Sequence, residues 1–143
     1  MAQQREARRR TAARGRTGRA AEELVARHLA TAGWTVIARN IRVGRSELDL
    51  LAVDPGPPVT LVVVEVRANR TSLFGPPEAS VSRHKLGAVY RGALSLRAGG
   101  LLPDGTALPR HPLRVDLVTV EMAPFLDRTV AGPVVRHLRG LIG

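Results

Sequence analysis

Apolar and polar positions along the chain change their period repeatedly, and each change marks an element. From residue 21 they recur at helical spacing: Ala21, Leu24, Val25, Leu29 and Ala32 share a stripe with His28. Thr17 offers an N-cap and Gly33 a C-cap. Strand-like runs follow over 34–40, 47–53 and 59–68, separated by the turn-forming stretches "RVGR" and "DPGPPV". The loop "SLFGPPEAS" leads into a second helix predicted over 82–97, and "AGGLLPDGTALPRHP" reads as a long flexible surface loop. A fourth strand is expected over 113–122, and "VVRHLRGLI" reads as a short final strand or helix. The order α-β-β-β-α-β belongs to the α/β class, with no internal repeat and no linker that would divide domains.

Residues 1–17 break this pattern. They carry six arginines, no sizeable apolar side chain and no periodicity, and predict a disordered basic arm ahead of a single domain spanning 18–143. The arm is either a solubilising tail or a grip on phosphates through Arg8, Arg9, Arg10, Arg14 and Arg16, with Arg70 contributing from the domain.

Composition narrows the function classes. The 143 residues can bury a core without staples, and with no cysteine there are no disulfides, thiolate zinc sites or cysteine nucleophiles. The N-terminus lacks the apolar region of a secretory signal, and no apolar run approaches the roughly 20 residues of a membrane span. A soluble, cytoplasmic protein with no membrane partner is expected. The formal charge of +10 favours a polyanion, for which nucleic acid is the first expectation. Lys85 is the sole lysine among the basic residues. Aromatics are limited to Trp34, Phe74, Tyr90 and Phe125, too few for a single-strand stacking platform.

The chemistry lies in "SELDLLAV" and "LVVVEVRANR". Strict alternation puts Glu47 and Asp49 on one face of the second strand and Leu48 and Leu50 on the other. On the third strand Glu65 and Arg67 share a face. If the two strands form a hairpin turning about Pro57, residues whose numbers sum to 114 stand opposite, so Asp49 meets Glu65 and Glu47 meets Arg67. Directly opposed Cβ atoms lie roughly 4.5–5.5 Å apart. Two carboxylates at that distance repel, and a divalent cation between them reverses the sign of the interaction. Glu47 opposite Arg67 is equally an ordinary cross-strand ion pair. On the first helix Glu22 borders the buried stripe and can lean toward the sheet, or simply compensates the helix dipole. Glu23 sits four residues before Arg27 as a surface pair.

Taken together, "GRAAEELVARHLATAGWTVIARN", "ELDLLA", "VEVRANR", "FGPPEASVSRHK" and the Arg114-Val115-Asp116 triplet resemble the YraN family of small bacterial proteins. That family is a branch of the PD-(D/E)XK, restriction-endonuclease-like nucleases and is similar to Holliday-junction resolvases. The resemblance implies an α-β-β-β-α-β core with a mixed central sheet flanked by helices. It implies Asp49 and Glu65 as ligands of Mg²⁺ or Mn²⁺, Glu22 as the helix-one acid that completes the site, and hydrolysis of phosphodiester bonds in DNA, branched or single-stranded. Symmetric cutting of a junction would require a homodimer. The chain has no Walker loop, HExxH or G-x-G-x-x-G, and His28, His84, His111 and His137 lack ligand spacing.

The chain departs from the family at the end of the triplet, where Arg67 stands for lysine. Arginine binds phosphate but is effectively never deprotonated. Lys85, at a position where the family also carries lysine, is either the replacement cation or a solvated helix residue. Ser46 and Ala21 stand where the family has glycine: at Ser46 the turn either needs no positive φ or tolerates some strain, and Ala21 favours the helix. Asp116, two residues from Arg114, reads as a structural pair or a support behind the site. The rival to an enzyme is a nucleic-acid-binding protein that keeps the fold without cutting.

Overall fold

A computed structural model of the chain describes residues 2–69, 83–121 and 133–142. The elements are α1 (Ala2–Thr31), β1 (Thr35–Val43), β2 (Ser46–Asp54), β3 (Thr60–Asn69), α2 (Arg83–Gly99), β4 (Leu113–Glu121) and β5 (Val134–Ile142). They build one five-stranded sheet in the order β1-β2-β3-β4-β5. Only β3 and β4 run parallel, and α2 lies in the crossover that a parallel pair requires.

Burial explains why β3 reads as an apolar run without alternation. Leu61, Val62, Val63 and Val64 are all buried because both sheet faces are covered. On one face Ala21, Val25, Ala26 and Leu29 of α1 pack with Leu50, Ala52, Val62, Val64, Val118 and Val120. On the other, Val89, Ala93 and Leu96 of α2 pack with Ile41, Leu48, Leu51, Leu61, Val63 and Val115. Leu50→Ala would empty a fully buried position in the first of these cores. The expected loss is about 3 kcal/mol, seen as a lower urea midpoint at unchanged m-value, whereas Leu94→Ala on the exposed side of α2 should shift it by less than about 0.5 kcal/mol.

The register of β2 on β3 follows from the turn between them. Gly56 sits at φ +70, and a Cβ there would lie 2.2 Å from the Pro58 carbonyl carbon, so only glycine fits. Asp54 Oδ1 accepts the Gly56 N–H at 2.9 Å. The paired residues, from Asp54↔Thr60 to Leu50↔Val64, keep the sum of 114.

Several expectations are corrected. The helix expected to begin after Thr17 starts at Ala2, so its backbone runs through the segment read as a structureless arm. Those residues are mostly Ala, Arg, Gln and Glu, which form helix without an apolar stripe, and the stripe reports only which turns are buried. Strand β1 extends past Asn40 to Val43; the positive φ of the following turn falls on Gly44, so Ser46 needs none, in line with the expectation. Leu48 and Leu50 do not share a face: they join the α2-side and α1-side cores respectively, so the burial phase changes at Asp49. The 98–112 stretch is an organised connection, not a flexible one. Leu102 N–H donates to Thr106 O at 2.8 Å, Leu108 N–H donates to Gly100 O at 3.0 Å, and Leu102 is buried. The last segment is a strand, antiparallel to β4. Among the described residues, no helix is long and apolar enough to cross a membrane.

Candidate functional site

The β2–β3 ladder ends at Leu50↔Val64, while β3 continues beside β4 to Asn69↔Glu121. At this fork Val66 N–H, which has lost its strand partner, donates to Asp49 Oδ2 at 2.8 Å. The contact anchors Asp49 against β3, where Glu65 is 3 % exposed. A buried carboxylate is strongly disfavoured unless neutralised. Burial first, and the Asp49 charge second, push the Glu65 carboxyl up to about 8 against the pull of Lys85 and Arg67. Burial raises Asp49 too, opposed by the Val66 N–H and by a hydrogen bond with Glu65. Two carboxylates cannot hydrogen-bond each other, so that bond exists when Glu65 is protonated and donates to ionised Asp49. With both ionised, Glu65 Oε2 has no donor.

Two cations complete the group. Arg67 Nη2 lies 3.5 Å and Lys85 Nζ 3.9 Å from Glu65 Oε1. Lys85 therefore reaches the acids from the start of α2, with 43 % of its side chain exposed to solvent. Arg67 does not meet Glu47 as the extended register predicts, because the strands have separated by then. It turns to Glu65, and its buried Nε lacks an acceptor. Glu47 instead stands opposite Arg42 on β1.

Glu22 and Glu47 line a separate cavity of about 420 Å³ with Gly18, Arg19 and Asn40. Glu22 is raised above its ordinary value, chiefly by burial and then by the Asp49 charge, while a hydrogen bond to Asn40 lowers it. Thus Glu22 neighbours the pair without closing on it: among the described residues, no three His, Cys, Asp or Glu side chains form a ready-made metal cage. Asn40 is the residue that sequence reasoning missed here. It holds φ at 51, a left-handed conformation that asparagine tolerates better than most, and an asparagine at the end of a strand pattern was the signal. Glu23 faces solvent and pairs with Arg27 and Arg39.

Asp116 stands beside Val64 in the middle of β4, fully buried, and belongs to a different group of side chains. Arg114 Nε and Nη2 donate to its two oxygens at 2.8 and 3.0 Å, Gly140 N–H donates at 2.9 Å, and His137 Nε2 lies at 2.8 Å. Burial opposes ionisation, but His137, Arg114 and the Gly140 N–H outweigh it and hold the carboxyl down to about 2. An ionised Asp116 makes Nε2 the protonated nitrogen of His137. Arg114 also bonds Asp54, at 3.0 Å, and lies with Arg139 over the Trp34 ring. Arg8, Arg9, Arg10, Arg14 and Arg16, expected from the sequence to grip phosphate, sit on the α1 backbone, but the side chains of 6–17 lie outside the described ones. Arg70 lies outside the described residues altogether.

The model of the uncharacterised protein family UPF0102 matches residues 21–120, a span that holds Glu22, Asp49, Glu65, Arg67 and Lys85. A UPF0102 protein of Streptomyces coelicolor is 40 % identical over 134 residues, covering 90 % of each chain. One from Acidothermus cellulolyticus is 36 % identical over 132 residues, covering 90 % of this chain and 94 % of that protein. A third, from Deinococcus radiodurans, is 35 % identical over 104 residues, covering 73 % of this chain and 79 % of that protein. By these matches, and by the motifs that carry its resemblance to YraN, the chain belongs to the UPF0102 family.

Proposed function

We propose that this chain is a metal-dependent endonuclease of the restriction-endonuclease-like class, hydrolysing phosphodiester bonds in branched or single-stranded DNA. The observation that carries the reading is the buried Glu65 carboxyl beside Asp49, flanked by two cations, whose Oε2 has no donor once both acids are ionised. A stability-driven sheet has no use for that arrangement, whereas an oxygen-seeking cation does. The α-β-β-β-α-β core, followed by β5 and with β3 and β4 parallel, supports the fold assignment.

Asp49 and Glu65 would hold Mg²⁺ or Mn²⁺, whose remaining ligands come from water and substrate phosphate, so a three-acid cage is not required. When bound, such an ion polarises a phosphoryl oxygen and lowers the pKa of the attacking water. The water oxygen bonds to phosphorus as the bond to the leaving oxygen breaks, and that oxygen takes up a proton. Arg67 keeps its charge and steadies the phosphate, but it cannot give up a proton. Lys85 supplies a second positive charge beside Glu65, and Glu22 lends negative charge beside Asp49.

Purified protein incubated with Mn²⁺ and single-stranded, duplex, flapped and four-way-junction DNAs tests the proposal. Cutting that disappears in Glu65→Ala is the expected result. Salt-sensitive binding without cutting would instead favour a DNA-binding protein that keeps the fold, the reading that Arg67 supports. In that case Arg67→Lys should restore cutting.

A further inference from the structure

The arginines at the two ends of the sheet differ in what they face. Toward the end marked by Asp54, Arg114 and Arg139 are matched by Asp54 and Asp116. At the other end the β1–β2 hairpin carries Arg42 and Arg45 on either side of Gly44, both exposed. Neither lies in an ion pair or side-chain hydrogen bond with another described residue, although Arg42 stands across the ladder from Glu47. This hairpin runs straight into the acid pair. Arg45 precedes Asp49 by four residues, about 13 Å of strand. Here too α1 enters the fold: Gly18 and Arg19 line the cavity shared with Asn40 and Glu47, so the arginine-bearing first half of the helix precedes that same end.

Exposed guanidiniums without an ion pair among the described residues gain little from the fold beyond the Glu47 charge across the ladder from Arg42. A phosphodiester chain reverses that balance, since arginine donates in a fork that suits phosphate oxygens and releases condensed counterions. From this we infer that Arg42 and Arg45 form a backbone-binding point for DNA, holding phosphates a few nucleotides from those at Asp49 and Glu65. The inference rests on the nuclease reading for its choice of DNA, and assigns to the hairpin a positioning role separate from hydrolysis. Arg42 and Arg45 contact phosphates and not base edges, so they set where the strand lies without reading its sequence.

Fluorescence anisotropy of a labelled four-way junction with the full chain, in EDTA, isolates binding from cutting. Salt is varied between about 50 and about 200 mM, the range over which phosphate contacts dominate the response. The double variant Arg42→Ala/Arg45→Ala should flatten the log–log slope by about 1.8, at about 0.9 per lost phosphate contact. Arg110→Ala, exposed at the far end of the sheet just before β4, should leave the slope at the wild-type value. Equal thermal melting of the variants and the wild type excludes misfolding as the cause. An unchanged slope in the double variant, or an equal flattening per charge in Arg110→Ala, would overturn the inference while leaving the nuclease reading intact. No salt-sensitive binding by the wild type would overturn both.

Discussion

Glu65→Gln is expected to abolish Mn²⁺-dependent cleavage and, in the metal-free protein, to raise the melting temperature. Loss of activity follows from removing one of only two carboxylates that face each other at the fork. Stabilisation follows from the proton. The native Glu65 carboxyl is raised from its usual 4.5 to about 8, so between those values the native state holds a proton that the unfolded chain releases. Stability contributed by this group is therefore greatest below about 4.5, falls as pH rises, and is gone above about 8. Glutamine stays neutral and keeps an N–H to offer Asp49. At pH 8 the gain should be on the order of 3 kcal/mol, and it should vanish at pH 4. Calorimetric melting of both proteins in EDTA across that range checks the sign. A Glu65→Gln protein less stable than the wild type at pH 8 would mean that Glu65 is ionised there and held by Lys85 and Arg67. A site that weakens the fold it sits in is common where function sets the side chain.

The second large effect has the opposite sign. Asp116→Asn should lower stability by about 3 kcal/mol at neutral pH, because Arg114 and the His137 and Gly140 N–H groups lose a buried anion. For a chain of this length that is a drop of roughly 10 °C in melting temperature. The Asp116 carboxyl is depressed from 3.8 to about 2. Its contribution is thus complete above about 4 and is lost as pH falls toward 2, so the wild-type advantage over the variant should shrink through that acid window. A variant that melts with the wild type at pH 7 would show that Asp54 alone satisfies Arg114. Paired measurements on Glu65→Gln and Asp116→Asn then separate two buried acids: one that destabilises at neutral pH, and one that stabilises.

How far the site was legible depended on the range of the interaction. Pairing of Asp49 with Glu65 could be reached from numbers alone, because the turn about Pro57 makes register a matter of counting, and the observed pairs obey the count. Where the count stops applying was not legible. Strand β3 parts from β2 after Val64 and continues beside β4, and no local signal in "VEVRANR" marks that parting. The same parting takes Arg67 from Glu47 to Glu65 and frees the Val66 N–H for Asp49. Lys85 was left between solvent and cleft for the same kind of reason. Its position depends on how α2 crosses the sheet, which Gly92 allows by leaving room for Ser46 and Leu48. In contrast, the Arg114–Asp116 pair could be read from a two-residue spacing, while its links to Asp54, His137 and Gly140 join distant parts of the chain.

By itself the sequence determined the α/β class, the order of the elements, the β2–β3 register and the family. Each of these rests on periodicity, turn chemistry or short motifs, which are properties of neighbouring residues. Only the tertiary structure decided that Glu65 is sealed from water with an oxygen lacking a donor, that two cations reach it, and that Glu22 stands beside the pair instead of within it. Desolvation and ion pairing depend on which surfaces the fold closes and on distances of a few ångströms between elements. Those quantities do not exist until the helices have packed on the sheet.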